Sequence, residues 1–182
     1  LKQRIDFMEN TLATKDDLRA LGCFTFGEGA ILYSSFAFLK HFQSQGKNKL
    51  LNVVSGINFS ARDEHLHSEA AAWLFRTLLK EKIEAGLITE EEQEELKRDI
   101  YEAAITVDLH EKAIIKKIFQ KGKIDGITDV QLEYFEQSRI NFCLRNLGYE
   151  NLFDITYNPV SEWFYKGCLL YTSDAADEED SV

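Results

Sequence analysis

Apolar side chains recur every three or four residues along most of the chain, the period of an amphipathic helix. Leu18, Leu21, Phe24, Phe26, Ile31, Leu32, Phe36, Phe38 and Leu39 carry the pattern from Thr14 toward Gln43. Thr14 followed by Asp17 resembles a capping box and predicts the start of this first helix. Gln45-Gly46-Lys47-Asn48 predicts the turn after it. A second, long helix is predicted from about Leu50 to Lys82, with Gly86 closing the connection. Thr89 with Glu92 is a cleaner capping box and opens a third helix through Leu96, Ile100, Ala103, Val107, Ile114 and Ile118. Gly122 and Gly126 punctuate a loop. Thr128 with Gln131 caps a fourth helix, and Gly148 takes the position just past its end. Asn158-Pro159 predicts an extended segment, because the residue before proline is pushed out of the helical region. No stretch alternates as a half-buried strand does. The expected fold is all-α, with four helices, the first two unusually long.

Composition narrows the class. The chain has 182 residues and one proline, room for one domain with a sizeable core. Its 13 Phe, 7 Tyr and 2 Trp suit thick layers between helices. A net charge of −10 argues against nucleic acid or an anionic membrane as the main partner. No apolar run approaches the ~18 residues of a membrane span. The chain opens Leu1-Lys2-Gln3-Arg4, with no leader and no start methionine, and so reads as a fragment. Cys23, Cys143 and Cys168 show no metal or redox spacing, which suits a reducing, cytoplasmic compartment.

The last stretch changes the charge argument. Cys168 to Glu178 reads CLLYTSDAADE, which resembles the forward translation of a common sequencing adapter. The plainer reading is an acidic disordered tail. Residues 1–167 are therefore taken as the domain and 168–182 as an artefactual or disordered tail. Without Asp174, Asp177, Glu178, Glu179 and Asp180 the net charge of −10 halves.

Within the second predicted helix stands Asp63-Glu64-His65-Leu66-His67. Glu64 and His67 are three apart, so they share one helix face and can bite one metal ion. In bundles that hold two metals, such a Glu-x-x-His pair is joined by a lone Glu on a neighbouring helix. Glu28 is available for that role. It lies among Phe24, Phe26, Ile31, Leu32 and Phe36, where an unpaired carboxylate costs several kcal/mol unless a metal, a proton or an ion pair compensates it. Gly27 and Gly29 flank it and weaken the helix by about 1 kcal/mol each, which makes sense if the backbone must approach something closely or flex. Phe59, Leu66, Ala70, Ala71, Trp73, Leu74 and Phe75 predict that the Glu64 helix is largely buried as well. Against this stands the plain reading of a solvated polar face. His65 points about 100° away from Glu64. His41 suits a helix C-terminus as a cation. His110 has no ligand spacing, and Cys23 and Cys143 read as small core residues.

Ala61-Arg62-Asp63-Glu64-His65-Leu66-His67 closely resembles the [S/A]-R-D-E-x-L-H signature of the small, radical-generating subunit of class I ribonucleotide reductase. Gly27-Glu28-Gly29 with Phe36 resembles the preceding metal-binding helix of that family. Gly126-Ile127-Thr128 leading to Tyr134, Arg139, Leu144 and Leu147-Gly148 is similar to its late helix, and Asn158-Pro159 with Trp163 to the end of its helical body. The resemblance covers roughly residues 10 to 166.

The resemblance implies a partial ferritin-like dimetal helical bundle whose N-terminal helices are missing. It implies Glu28, Glu64 and His67 as ligands of a dinuclear iron site, with manganese or a mixed centre as alternatives. Asp63 would hydrogen-bond a ligand imidazole from the other half of the bundle and lie on the route of radical or electron transfer. Phe36 would line the apolar pocket beside the metals. Half of the ligands, an earlier Asp and a first Glu-x-x-His, would lie upstream of Leu1, with any radical tyrosine. None is in this chain, and Tyr171 is not the family's relay tyrosine. The implied partners are the large catalytic subunit and a second small subunit, with no nucleic acid and no membrane. The rival readings are another dimetal oxidase, a hydroxylase or desaturase, and a non-catalytic helical module whose Glu28 and Glu64 pair with Arg or Lys.

Overall fold

The computed structural model describes residues 2–44 and 46–166. Gln45 of the predicted turn and the 168–182 tail, with Cys168 and Tyr171, lie outside the described residues. Six helices run in order: α1 Lys2–Ala13, α2 Asp17–Gly29, α3 Tyr33–His41, α4 Leu51–Glu84, α5 Glu90–Ile118 and α6 Asp129–Leu147. A short helix over 159–166, α7, follows. No strand forms among the described residues, only an isolated bridge between Ile124 and Ile127. The all-α expectation holds.

Both capping boxes form as expected. Thr89 accepts from the Glu92 backbone while Glu92 reaches back to the Thr89 N–H, and Thr128 and Gln131 do the same. Gly148 closes α6 at φ 91, a left-handed conformation that costs glycine little. The first helix starts differently. Asp16, not Thr14, is its N-cap and accepts from the Arg19 N–H. The Thr14 hydroxyl instead accepts from the Asp16 N–H at 3.4 Å.

Three further expectations are corrected. Residues 2–13 form a helix that was not anticipated, although Arg4, Phe7, Met8 and Thr11 follow helical spacing. Asn158 does stay out of the helix, but Pro159 opens α7, where its missing N–H costs nothing. The Asn158 side chain caps that helix through the Ser161 N–H at 3.2 Å. Most important for the site, the single helix expected from Thr14 to Gln43 is broken between α2 and α3.

The break has a clear local structure. The Phe26 carbonyl accepts from both Ala30 and Ile31, each at 3.0 Å, so the ladder slips by one residue. Leu32 then takes φ 83, uncommon for a residue with a branched side chain. The Tyr33 N–H bonds the Ala30 carbonyl, leaving the Gly29 carbonyl without its helical partner. Arg139 of α6 fills the gap, its Nε donating to the Gly29 oxygen at 2.8 Å. Gly29 itself is required by packing, since a Cβ there would collide with Ser68 of α4 and Cys143 of α6.

Helix α2 is the centre of the molecule, packed by α4, α5, α6 and α1. One apolar cluster around it holds Phe26, Phe75, Ile100, Val107, Ile140 and Leu144. Each large side chain buried this way contributes about 1.5–3 kcal/mol. A second cluster, centred on Tyr33, Phe135 and Phe164, joins α3, α6 and α7.

The outer face of α4 is not buried as expected. Phe59, Leu66 and Trp73, each one heptad apart, are 52%, 63% and 60% exposed, whereas Ala71 and Phe75 face the core. An apolar seam with this period is the kind a neighbouring helix covers. None of the described helices crosses a membrane: none is long and apolar enough.

Candidate metal centre

Glu28 sits in the last turn of α2, just before the break, and Glu64 and His67 lie one turn apart on α4. The packing of α2 against α4 brings the three together. His67 Nδ1 lies 3.1 Å from a Glu28 carboxylate oxygen and 3.4 Å from a Glu64 oxygen. One donor atom from each lies within 4.8 Å of the others. It is the one such metal-capable group among the described residues. The Glu28 and Glu64 side chains are 18% and 28% exposed, and that of His67 is 56% exposed, so the centre is open on its imidazole side. A cavity of about 360 Å³, lined by Arg4, Met8, Ile31 and Leu32, adjoins the two carboxylates.

The electrostatics are those of a site short of positive charge. Glu64 is pushed up to about 7, first by sharing a hydrogen bond with Glu28, then by burial and the charge of Glu28. His67 is raised above the usual imidazole range, chiefly by its hydrogen bond to Glu28. Among the described residues, His67 is the ion-pair partner of both carboxylates. Among the described residues neither pairs with an arginine or lysine, as the non-catalytic reading required. Two carboxylate oxygens and one imidazole nitrogen suit iron, manganese or a similar divalent ion. A cation there would relieve the like-charge contact that raises Glu64. The donor set therefore fits a resident metal.

Other predicted residues lie apart from the triad. Asp63 is exposed on α4, one residue before Glu64. Phe36 lies beyond the break on α3, half-buried, its ring 5.8 Å from that of Tyr33. His65 stacks on Phe142 at 4.9 Å. His110 packs edge-on against Phe7. Cys143 is buried and Cys23 partly so. His41, expected to suit the helix end as a cation, is instead buried. Its Nε2 lies 2.8 Å from the Asp125 carbonyl and 2.7 Å from Lys47 Nζ. Burial and the Lys47 charge hold its pKa below the usual value.

The model of the family described as ribonucleotide reductase, small chain, matches residues 1–159. The chain belongs to that family. Among curated proteins, the subunit beta of ribonucleoside-diphosphate reductase from Buchnera aphidicola subsp. Baizongia pistaciae is 26% identical over 148 residues, covering 81% of this chain. The chain spans 37% of that relative's length. Among solved structures, a class I ribonucleotide reductase from Bacillus halodurans superposes with a TM-score of 0.74 at 26% identity. That match covers 87% of this chain and 56% of the other. The all-helical architecture of the chain matches the helical bundle of that family.

One buried charge cluster escaped the sequence reading. Arg4 makes a two-pronged ion pair with Glu111, at 2.7 and 2.6 Å, and Ser34 donates to the same carboxylate at 2.5 Å. Glu136 is buried beside this pair with one oxygen unpartnered. The signal available was a charged residue on the apolar side of each helical pattern, which periodicity alone does not separate from a surface charge.

Proposed function

We propose that this chain is a portion of the radical-generating small subunit of a class I ribonucleoside-diphosphate reductase. In this reading Glu28, Glu64 and His67 hold one side of a dinuclear metal centre. The observation that carries the reading is the convergence of a lone Glu on α2 with the Glu-x-x-His of α4. The remaining ligands would come from the part of the small subunit that this chain does not span. When bound, a dinuclear iron centre, or a manganese or mixed one, supplies the O₂ reduction and one-electron oxidation on which ribonucleotide reduction depends.

The chain's own residues bind, orient and shield. Glu28 and Glu64 face each other from α2 and α4, and the like-charge contact that raises Glu64 favours a cation between them. His67 presents Nδ1 toward both carboxylates, so its ring is already turned to the site. The exposed seam of Phe59, Leu66 and Trp73 runs along α4 beside the triad, and burying it under neighbouring helices would exclude water from the site. In this reading Asp63, exposed next to Glu64, hydrogen-bonds an imidazole from such a helix and fixes its orientation. Phe36 contributes to the apolar surroundings from α3. The working partners are the large catalytic subunit and a second small subunit, in the cytoplasm.

The test is to express the full-length parent without oxygen, add Fe(II) and then O₂, and measure iron content with optical and EPR spectra. About two metals per chain are expected, lost in Glu64→Ala and His67→Ala, with an organic-radical signal after O₂. An intact protein that binds no iron contradicts the reading.

A further inference from the structure

We infer that Arg139 is a positioning residue that couples the C-terminal helix α7 to the Glu28 carboxylate. The inference rests on the metal-centre reading for its consequence, but its geometry is independent of any metal. Arg139 stands on α6 and is 2% exposed. Its guanidinium lies between two aromatic rings, 4.0 Å from the Tyr33 centroid and 4.3 Å from that of Phe142. Among the described residues it makes no ion pair with a carboxylate, so the ring faces and two hydrogen bonds compensate this buried cation. Its hydrogen bonds go in two directions. Nε donates to the Gly29 carbonyl at 2.8 Å, and one terminal nitrogen donates to the Tyr165 hydroxyl at 3.0 Å. The other terminal nitrogen is buried without a partner.

Both ends of this bridge are informative. Gly29 follows Glu28 directly, and its carbonyl is free only because the helix breaks there. Without a donor, that carbonyl would be satisfied most simply by closing the break, which would re-aim the last turn of α2 and its carboxylate. Arg139 therefore stabilises the broken form. At the other end, Tyr165 belongs to α7, which is pinned again where Lys40 donates to the Phe164 carbonyl at 2.7 Å and where Phe164 packs on Phe135. A displacement of α7 pulls on the guanidinium, and the guanidinium holds the peptide beside Glu28. Lysine cannot replace it, because a single ammonium lacks the planar fork that reaches both partners at once.

The test uses the 182-residue chain and two readouts. The first is hydrogen exchange at the amides of Ala30, Ile31 and Tyr33 and at residues 160–166. Tyr165→Phe removes one hydroxyl and nothing else. It should speed exchange in both segments about fivefold, the scale of one hydrogen bond, with α5 unchanged. Arg139→Met should do the same more strongly, and Arg139→Lys should not restore it. The second readout is Co(II) affinity, expected to fall about 10- to 100-fold in Arg139→Met and Arg139→Lys alike. Faster exchange confined to 160–166 in Tyr165→Phe overturns the coupling. Restoration of exchange and affinity by Arg139→Lys overturns the two-pronged role and leaves charge alone. If Arg139→Met loosens the whole chain, Tyr165→Phe decides. If the unmodified chain binds no Co(II), the affinity readout is taken on the full-length parent, where no binding sinks the metal reading, while the exchange result still decides the coupling.

Discussion

Two of the carboxylate clusters among the described residues solve the same problem in opposite ways. Around Glu111 the charges are closed. Arg4 grips both oxygens, Ser34 adds a third donor, Lys112 pairs with Asp108 at 2.8 Å, and Gln137 donates to Asp108 as well. Both oxygens of Glu111 and both of Asp108 are held by donors. Around Glu28 and Glu64 the charges are left open. Two carboxylates face each other across α2 and α4 with one imidazole between them and a cavity alongside. Buried or half-buried carboxylates are thus not in themselves a sign of function. What separates a structural cluster from a metal-capable one is whether the fold supplies the counter-charge.

That contrast can be broken by the same substitution at both places. Glu28→Ala or Glu64→Ala should abolish Co(II) or Fe(II) binding, a loss larger than the 10- to 100-fold typical of supporting residues, as read by titration calorimetry. The same change should leave the metal-free chain as stable as before or more so, because it removes a like-charge contact. Glu111→Ala should behave in reverse. It strands Arg4 in the interior and should cost about 3–5 kcal/mol in urea unfolding. Equal costs at Glu28 and Glu111 would erase the distinction.

Glu136 sharpens it further. Burial, then the charges of Glu111 and Asp108, raise its pKa well above the usual carboxylate value, with Lys112 and Arg4 acting weakly the other way. Its folded pKa exceeds the unfolded one, so ionisation favours unfolding. Its contribution to stability is therefore intact at low pH and lost as pH rises from about 5 upward. Glu136→Gln should flatten that limb of the unfolding midpoint between about pH 5 and 8, and an unchanged slope would show that Glu136 is not held neutral. The smallest effect belongs to the caps. Thr128→Ala should cost about 1 kcal/mol of stability without altering metal affinity, which separates scaffold from site.

Much of this was legible in the chain because the governing signals are local. Capping boxes at Thr89 and Thr128 and the glycine at 148 are decided within a few residues, and the structure has all three. The pairing of Glu64 with His67 needs only helical periodicity. Glu28 needed more, but Gly27 and Gly29 marked the place where α2 comes close to its neighbours. Gly29 meets Ser68 and Cys143, and Gly27 lies against Met8. The break after Glu28 was not legible. Residues 30 to 39 keep a helical apolar pattern, and what sustains the slip is Arg139, far away in sequence. The exposure of Phe59, Leu66 and Trp73 was misread for a related reason. An apolar stripe on an exposed helix face looks the same in sequence as one that buries against the core. Arg4 and Glu111 are 107 residues apart and could not be paired by pattern at all.

The most direct test of the central claim is anomalous X-ray scattering from crystals of the chain grown with Mn(II). The account predicts an anomalous peak bonded by Glu28, Glu64 and His67 Nδ1. A peak elsewhere, or none while the two carboxylates stay hydrogen-bonded to each other, would contradict it.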